Sequence, residues 1–82
     1  MIKFQHLIEA EEGLHARPVA DVAYTLNNCS SDVQITFNGK TASGRDLMEM
    51  LSLDANKGDI IDVLIVGGNE EETREELLKV LP

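Results

Sequence analysis

The chain reads as an α+β fold, with helices packed on one face of an antiparallel sheet, and three observations lead there. First, hydrophobic spacing alternates between a period of two and one of 3.6, in the order strand, helix, strand-hairpin-strand, helix, strand, helix. Second, the links are short and a tight hairpin sits in the middle, which sets neighbouring strands antiparallel. Third, 43% of residues are hydrophobic but only 4% aromatic, with no Trp, so the chain folds around an aliphatic core. Its 82 residues suit a single domain, 1–82, with one core.

The elements follow in order. In IKFQHLI, residues 2–8, Phe4, His6 and Ile8 share one strand face while Lys3, Gln5 and Leu7 share the other. His6 on the inner face is expected to be a hydrogen-bonded structural histidine. AEEG at 10–13 is a loop, after which Val19, Val22, Ala23 and Leu26 give a helical stripe from Ala16 onward. Pro18 fits the first turn, where amides have no intrahelical partner. The helix fades in NNCSSD, with Cys29 as a small core residue. In DVQITFNGKTAS, Val33, Ile35 and Phe37 alternate with polar residues, and Asn38-Gly39 supplies a hairpin turn. Gly44 ends the second strand of the hairpin. Asp46 then reads as the N-cap of a short helix, with Glu49 as the reciprocal partner of a capping box. Leu47, Met48, Met50 and Leu51 make that helix apolar over much of its circumference. Lys57-Gly58-Asp59 is a turn, and DIIDVLIVG is a long strand with Ile61, Val63 and Ile65 toward the helices. Ile60, Leu64 and Val66 are left on the open face with Leu7, which is unusually apolar for a solvated sheet. Asn69 caps the last helix, Glu70, Glu71 and Glu72 suit its positive end, and Thr73, Leu77, Val80 and Leu81 form its buried stripe.

Composition excludes several functions. Fifteen acidic against seven basic residues give a net charge of −8, which disfavours nucleic acid and anionic membranes as partners. No apolar run is long enough to cross a bilayer, and MIKFQHLIEAEEG lacks the apolar stretch of a secretory signal. Cys29 is alone, which fits a reducing cytoplasm. No His, Asp, Glu or Cys cluster has metal-ligand spacing, so neither metal nor cofactor is expected.

Against this acidic background, GLHARP at 13–18 stands out. If Ala16 opens the helix, His15 lies at the N-cap, and the free amides of Ala16 and Arg17 form an anion cradle at the positive helix end. That end disfavours imidazolium, leaving a ring nitrogen free as nucleophile. The Arg17 guanidinium adds forked contacts to phosphate oxygens. These parts suffice to accept a phosphoryl group on nitrogen and release it. Residue types alone leave an ordinary helix start equally open. A small hydrolase with His15 as general base is weaker, because the motif holds no second acid-base group.

The longer string GLHARPVA at 13–20 resembles the active-site signature of the HPr family, the histidine-containing phosphocarriers of the bacterial phosphoenolpyruvate-dependent sugar phosphotransferase system. NGKT at 38–41, LMEMLSL at 47–53, KGD at 57–59 and Gly67 fall in register with the family, so the resemblance spans the chain. It implies an open-faced β-sandwich, four antiparallel strands with three helices on one face. It further implies that His15 is phosphorylated on Nδ1 by phospho-enzyme I and passes the group to enzyme IIA domains for sugar uptake, with Arg17 steadying it. The chain would then be a relay intermediate rather than a free-standing enzyme. Leu47, Met48 and Leu51 match the family's apolar docking patch. Met48 is assigned to docking, while for Leu47 and Leu51 core and docking stand level.

Two departures from the family pattern matter. Relatives in Gram-positive bacteria carry, at the position of Asp46, a serine that a kinase phosphorylates as a catabolite signal. Here Asp46 rules that switch out; it is a plain N-cap or a partial imitation of the phosphorylated serine, contacting a catabolite regulator. The docking surface, commonly basic in the family, offers Asp21, Tyr24, Asn27 and Glu49, with Arg17 and Arg45 as its remaining cations. This weakens steering toward an acidic enzyme I and points to a specialised paralogue. The alternative function is a regulatory binding module acting through the Asp46 and Met48 helix without phosphoryl transfer.

Overall fold

The computed structural model describes residues 1–82 and has the expected element order. Strands β1 (Ile2–Leu7), β2 (Asp32–Phe37), β3 (Lys40–Ser43) and β4 (Ile60–Val66) form one sheet, and helices α1 (Ala16–Asn27), α2 (Leu47–Ser52) and α3 (Glu70–Val80) cover one of its faces. The strands lie in the order β1-β4-β2-β3, and every neighbouring pair is antiparallel. The β2–β3 hairpin turns at Asn38 and Gly39, whose φ angles of 54° and 80° are the two positive values a two-residue turn needs.

Period-two alternation decides what each strand buries. Val33, Ile35, Ile61, Val63 and Ile65 face inward, meeting Val19, Val22 and Leu26 from α1, Met50 from α2 and Leu77 from α3. On the outer face, Leu7 and Ile60 pair across β1 and β4 and both are exposed, as is Val66, while Leu64 is half-buried. The open face is therefore as apolar as the sequence implies. Cys29 is half-buried against the core. No helix is long and apolar enough to cross a membrane.

Three expectations need correction. His6 does point inward, paired with Ile61, but its Nε2 is buried without any hydrogen-bond partner. Its neighbours on that face are apolar, so burial holds the imidazole below its ordinary pKa of 6.5, against a weaker opposing pull from Glu9. At α2, the Asp46 carboxylate accepts from the Glu49 amide at 3.1 Å, but Glu49 does not reciprocate. Its Oε1 accepts instead from the Ser43 amide at 2.8 Å, because the Asp46 amide is already bonded to the Ser43 carbonyl. Finally, Arg45 is not a docking cation. Its guanidinium donates to the carbonyls of Leu26, Cys29 and Ser31 at 2.8–3.1 Å, closing the C-terminal end of α1. Those acceptors are backbone carbonyls of the last turn of α1 and of the loop after it, which no side-chain pattern advertises.

Candidate functional site

The loop before α1 is fixed first by backbone. The Gly13 amide donates to the Ala10 carbonyl, and the Leu14 amide donates to the Ala55 carbonyl at 2.9 Å, tying this loop to the α2–β4 connection. Gly13, with φ +63°, sits so close that a Cβ would lie 2.8 Å from both Ala55 O and Asn56 Cα. Leu14 is fully buried, which anchors the residue immediately before His15.

His15 then occupies the N-cap of α1 with extended backbone (φ −116°, ψ −173°), and its side chain makes no capping bond. Here α1 differs from the other two helices. Asp46 caps α2 and Asn69 caps α3 through side-chain oxygens, and both first turns carry Glu residues. The first turn of α1 has no acidic residue. Val19 closes that turn by donating to the His15 carbonyl, Pro18 has no N–H, and the amides of Ala16 and Arg17 have no protein acceptor. The positive end of α1 is thus left uncompensated, with two donors free for an anion.

The side chains complete the arrangement. His15 and Arg17 are both exposed, and Arg17 enters none of the ion pairs of the molecule. His15 Nε2 lies 2.9 Å from Asn56 Oδ1, a contact the sequence does not reveal because 41 residues separate the two. The Lys57 ammonium, next to Asn56, is taken by Glu11 at 2.7 Å. No cavity reaches His15 or Arg17. No group of three His, Cys, Asp or Glu side chains stands at metal-binding distance.

Around it, the predicted docking residues divide. Met48 is 72% exposed and Leu47 39% exposed, whereas Leu51 is half-buried and packs against the core. Tyr24, one turn or so from the C-terminal end of α1, is 75% exposed. Asp21, Asn27 and Glu49 are exposed as well.

Comparison with known proteins places this arrangement in a family. Residues 2–82 match the family described as the PTS HPr component phosphorylation site. The chain is 32% identical to the phosphocarrier protein HPr of Vibrio cholerae serotype O1 over 81 residues, covering 99% of this chain and 95% of that protein. Its fold superposes on the crystal structure of HPr-C-His from Thermoanaerobacter tengcongensis with a TM-score of 0.92 at 27% identity, covering 99% of this chain and 91% of that one. A further similar structure is Crh of Bacillus subtilis, a catabolite repression protein seen as a swapped dimer, at 28% identity and a TM-score of 0.75 over 98% of this chain and 92% of that one. A family match over almost the entire length, the shared fold and an uncapped helix start bearing the GLHARP histidine agree: the chain belongs to the HPr family of phosphotransferase-system phosphocarriers.

Proposed function

We propose that this chain carries a phosphoryl group on His15, accepting it from phospho-enzyme I and passing it to enzyme IIA domains in sugar uptake, as a soluble relay in the cytoplasm. The observation that carries this reading is the uncompensated N-terminus of α1, where two unpartnered amides and an unpaired arginine surround an exposed imidazole. In the transfer, an imidazole lone pair forms the N–P bond while the bond from phosphorus to the donor breaks and its electron pair leaves with the donor. The Ala16 and Arg17 amides and the Arg17 guanidinium hold the phosphoryl oxygens, stabilising charge that was already present and fixing the line of attack. Nothing in this step requires a metal or cofactor from the protein.

Docking falls to Met48 and Leu47, with Leu51 supporting them from the half-buried side. The exposed acidic residues Asp21 on α1 and Glu49 on α2 favour a dedicated partner over one built for a basic carrier. The regulatory alternative rests on Asp46 and on the likeness to Crh, but the Asp46 carboxylate is engaged in capping α2, which favours the plain N-cap. The test is phosphorylation by enzyme I and phosphoenolpyruvate. Wild type should gain one acid-labile phosphoryl group per chain and His15→Ala none. Label retained in His15→Ala, or no label while the same enzyme I loads another carrier, overturns the carrier reading.

A further inference from the structure

The Asn56 carboxamide has a determined orientation. Its Nδ2 lies 3.0 Å from the Asp54 carbonyl, which can only accept, so that end of the amide is the NH₂ donor. The other end, Oδ1, is therefore the atom 2.9 Å from His15 Nε2. An amide oxygen cannot donate, so Nε2 carries the proton in this contact. In a neutral imidazole one nitrogen donates and the other accepts, which leaves the lone pair on Nδ1, and Nδ1 makes no hydrogen bond within the protein.

The mount is rigid at both ends. The Asn56 amide donates to Asp59 Oδ2 at 2.8 Å, and the Asp59 amide returns a bond to the Asn56 carbonyl at 2.9 Å. The same connection meets the loop of His15 through the Leu14–Ala55 bond and the close approach at Gly13. Ring and carboxamide are thus presented to each other by backbone already in place.

We propose that Asn56 is a positioning residue that holds His15 as the Nε2–H tautomer and so selects Nδ1 as the atom that takes the phosphoryl group. The consequence for transfer rests on the phosphocarrier reading; the tautomer itself does not. When Nδ1 forms the N–P bond, the pair from the broken bond leaves with the phosphorylated protein donor, and Nε2 keeps its proton. The ring then carries a positive charge. The Nε2–H···Oδ1 bond becomes charge-assisted at that moment, so it is stronger in the transition state than before it. On release the N–P pair returns to Nδ1 and the neutral tautomer is restored.

The experiment reads the ring nitrogens of unphosphorylated protein labelled with ¹⁵N-histidine, at a pH where the imidazole is neutral. Wild type should show a pyridine-like Nδ1 and a pyrrole-like, protonated Nε2 at their limiting shifts. In Asn56→Ala the two shifts should move toward each other, with the amide spectrum unchanged away from residues 13–15 and 54–59. Asn56→Asp keeps an oxygen toward Nε2 and should restore the limiting values. A pyrrole-like Nδ1 in wild type, or identical ring shifts in Asn56→Ala, overturns the proposal. Loading by enzyme I supplies the second readout, with Asn56→Ala about fivefold slower than wild type, the magnitude of one hydrogen bond. If wild type loads and Asn56→Ala loads equally fast, the positioning role fails and the carrier reading stands. If wild type does not load while its shifts are limiting, the carrier reading fails and the tautomer assignment stands.

Discussion

The two histidines are the sharpest contrast at the residue scale. His15 is exposed at a helix start with one nitrogen bonded, whereas His6 is turned inward with Nε2 buried and unpartnered. Burial lowers the His6 pKa from 6.5 in the folded state. The sign follows from proton binding. As pH falls below 6.5, the unfolded chain takes up a proton at residue 6 that the folded chain still refuses, so stability is lost from pH 6.5 down to the lower folded value and is flat beyond it. Urea midpoints at pH 7.5 and 5.5 should therefore fall more for wild type than for His6→Leu, with the carboxylates common to both cancelling. Equal falls would show that His6 does not titrate differently in the two states. His6 also illustrates what a sequence conceals. Alternation placed it on the inner face, but whether a partner waits there depends on the tertiary packing of strands more than fifty residues apart. Asn56 escaped for the same reason, since its meaning comes only from His15 across the fold, whereas GLHARP carries its whole logic in six consecutive residues.

At the scale of elements, α2 shows how one short helix serves two purposes. Met50 is fully buried beneath it and Met48, two positions earlier, is 72% exposed. Met50→Ala should destabilise by about 2–5 kcal/mol through lost burial and a residual cavity, while Met48→Ala should change stability by less than about 0.5 kcal/mol. Thermal melts of both variants check this, and a comparable loss at Met48 would place that side chain in the core and remove it from the docking surface. The boundaries of α2 and α3 were legible because Asp46 and Asn69 are strong caps followed by glutamates. The fate of the glutamate was not: Glu49 turns to the Ser43 amide because the Asp46 amide has a nearer carbonyl, a competition between backbone groups that motif spacing does not encode. The same helical period marks Leu47 and Leu51 alike as apolar, and only the packed sheet beneath separates the exposed one from the half-buried one.

For the whole molecule, the net charge of −8 and the engagement of the half-buried Arg45 by backbone carbonyls leave Arg17 as the exposed cation at the start of α1, while Asp21 and Glu49 are exposed as well. Association with an acidic donor protein is then opposed by long-range repulsion, and salt relieves it. Raising ionic strength from about 0.01 M to 0.15 M shortens the screening length from about 30 Å to 8 Å. Loading by an acidic enzyme I should speed up over that range, the reverse of the slowing expected for oppositely charged partners. Slower loading at higher salt would mean that local attraction at Arg17, and not the net charge, governs the encounter. The exposed pair Leu7 and Ile60 lies on the open sheet face, opposite the helices.

Whether His15 relays its phosphoryl group is read by a chase. Protein loaded with labelled phosphoryl group is purified away from enzyme I and mixed with an enzyme IIA domain from the same genome. The label should leave His15 for the acceptor on mixing, and the carrier should then load again. Label that stays on the chain until it hydrolyses, with an acceptor shown active toward another carrier, would contradict a relay function for the GLHARP site.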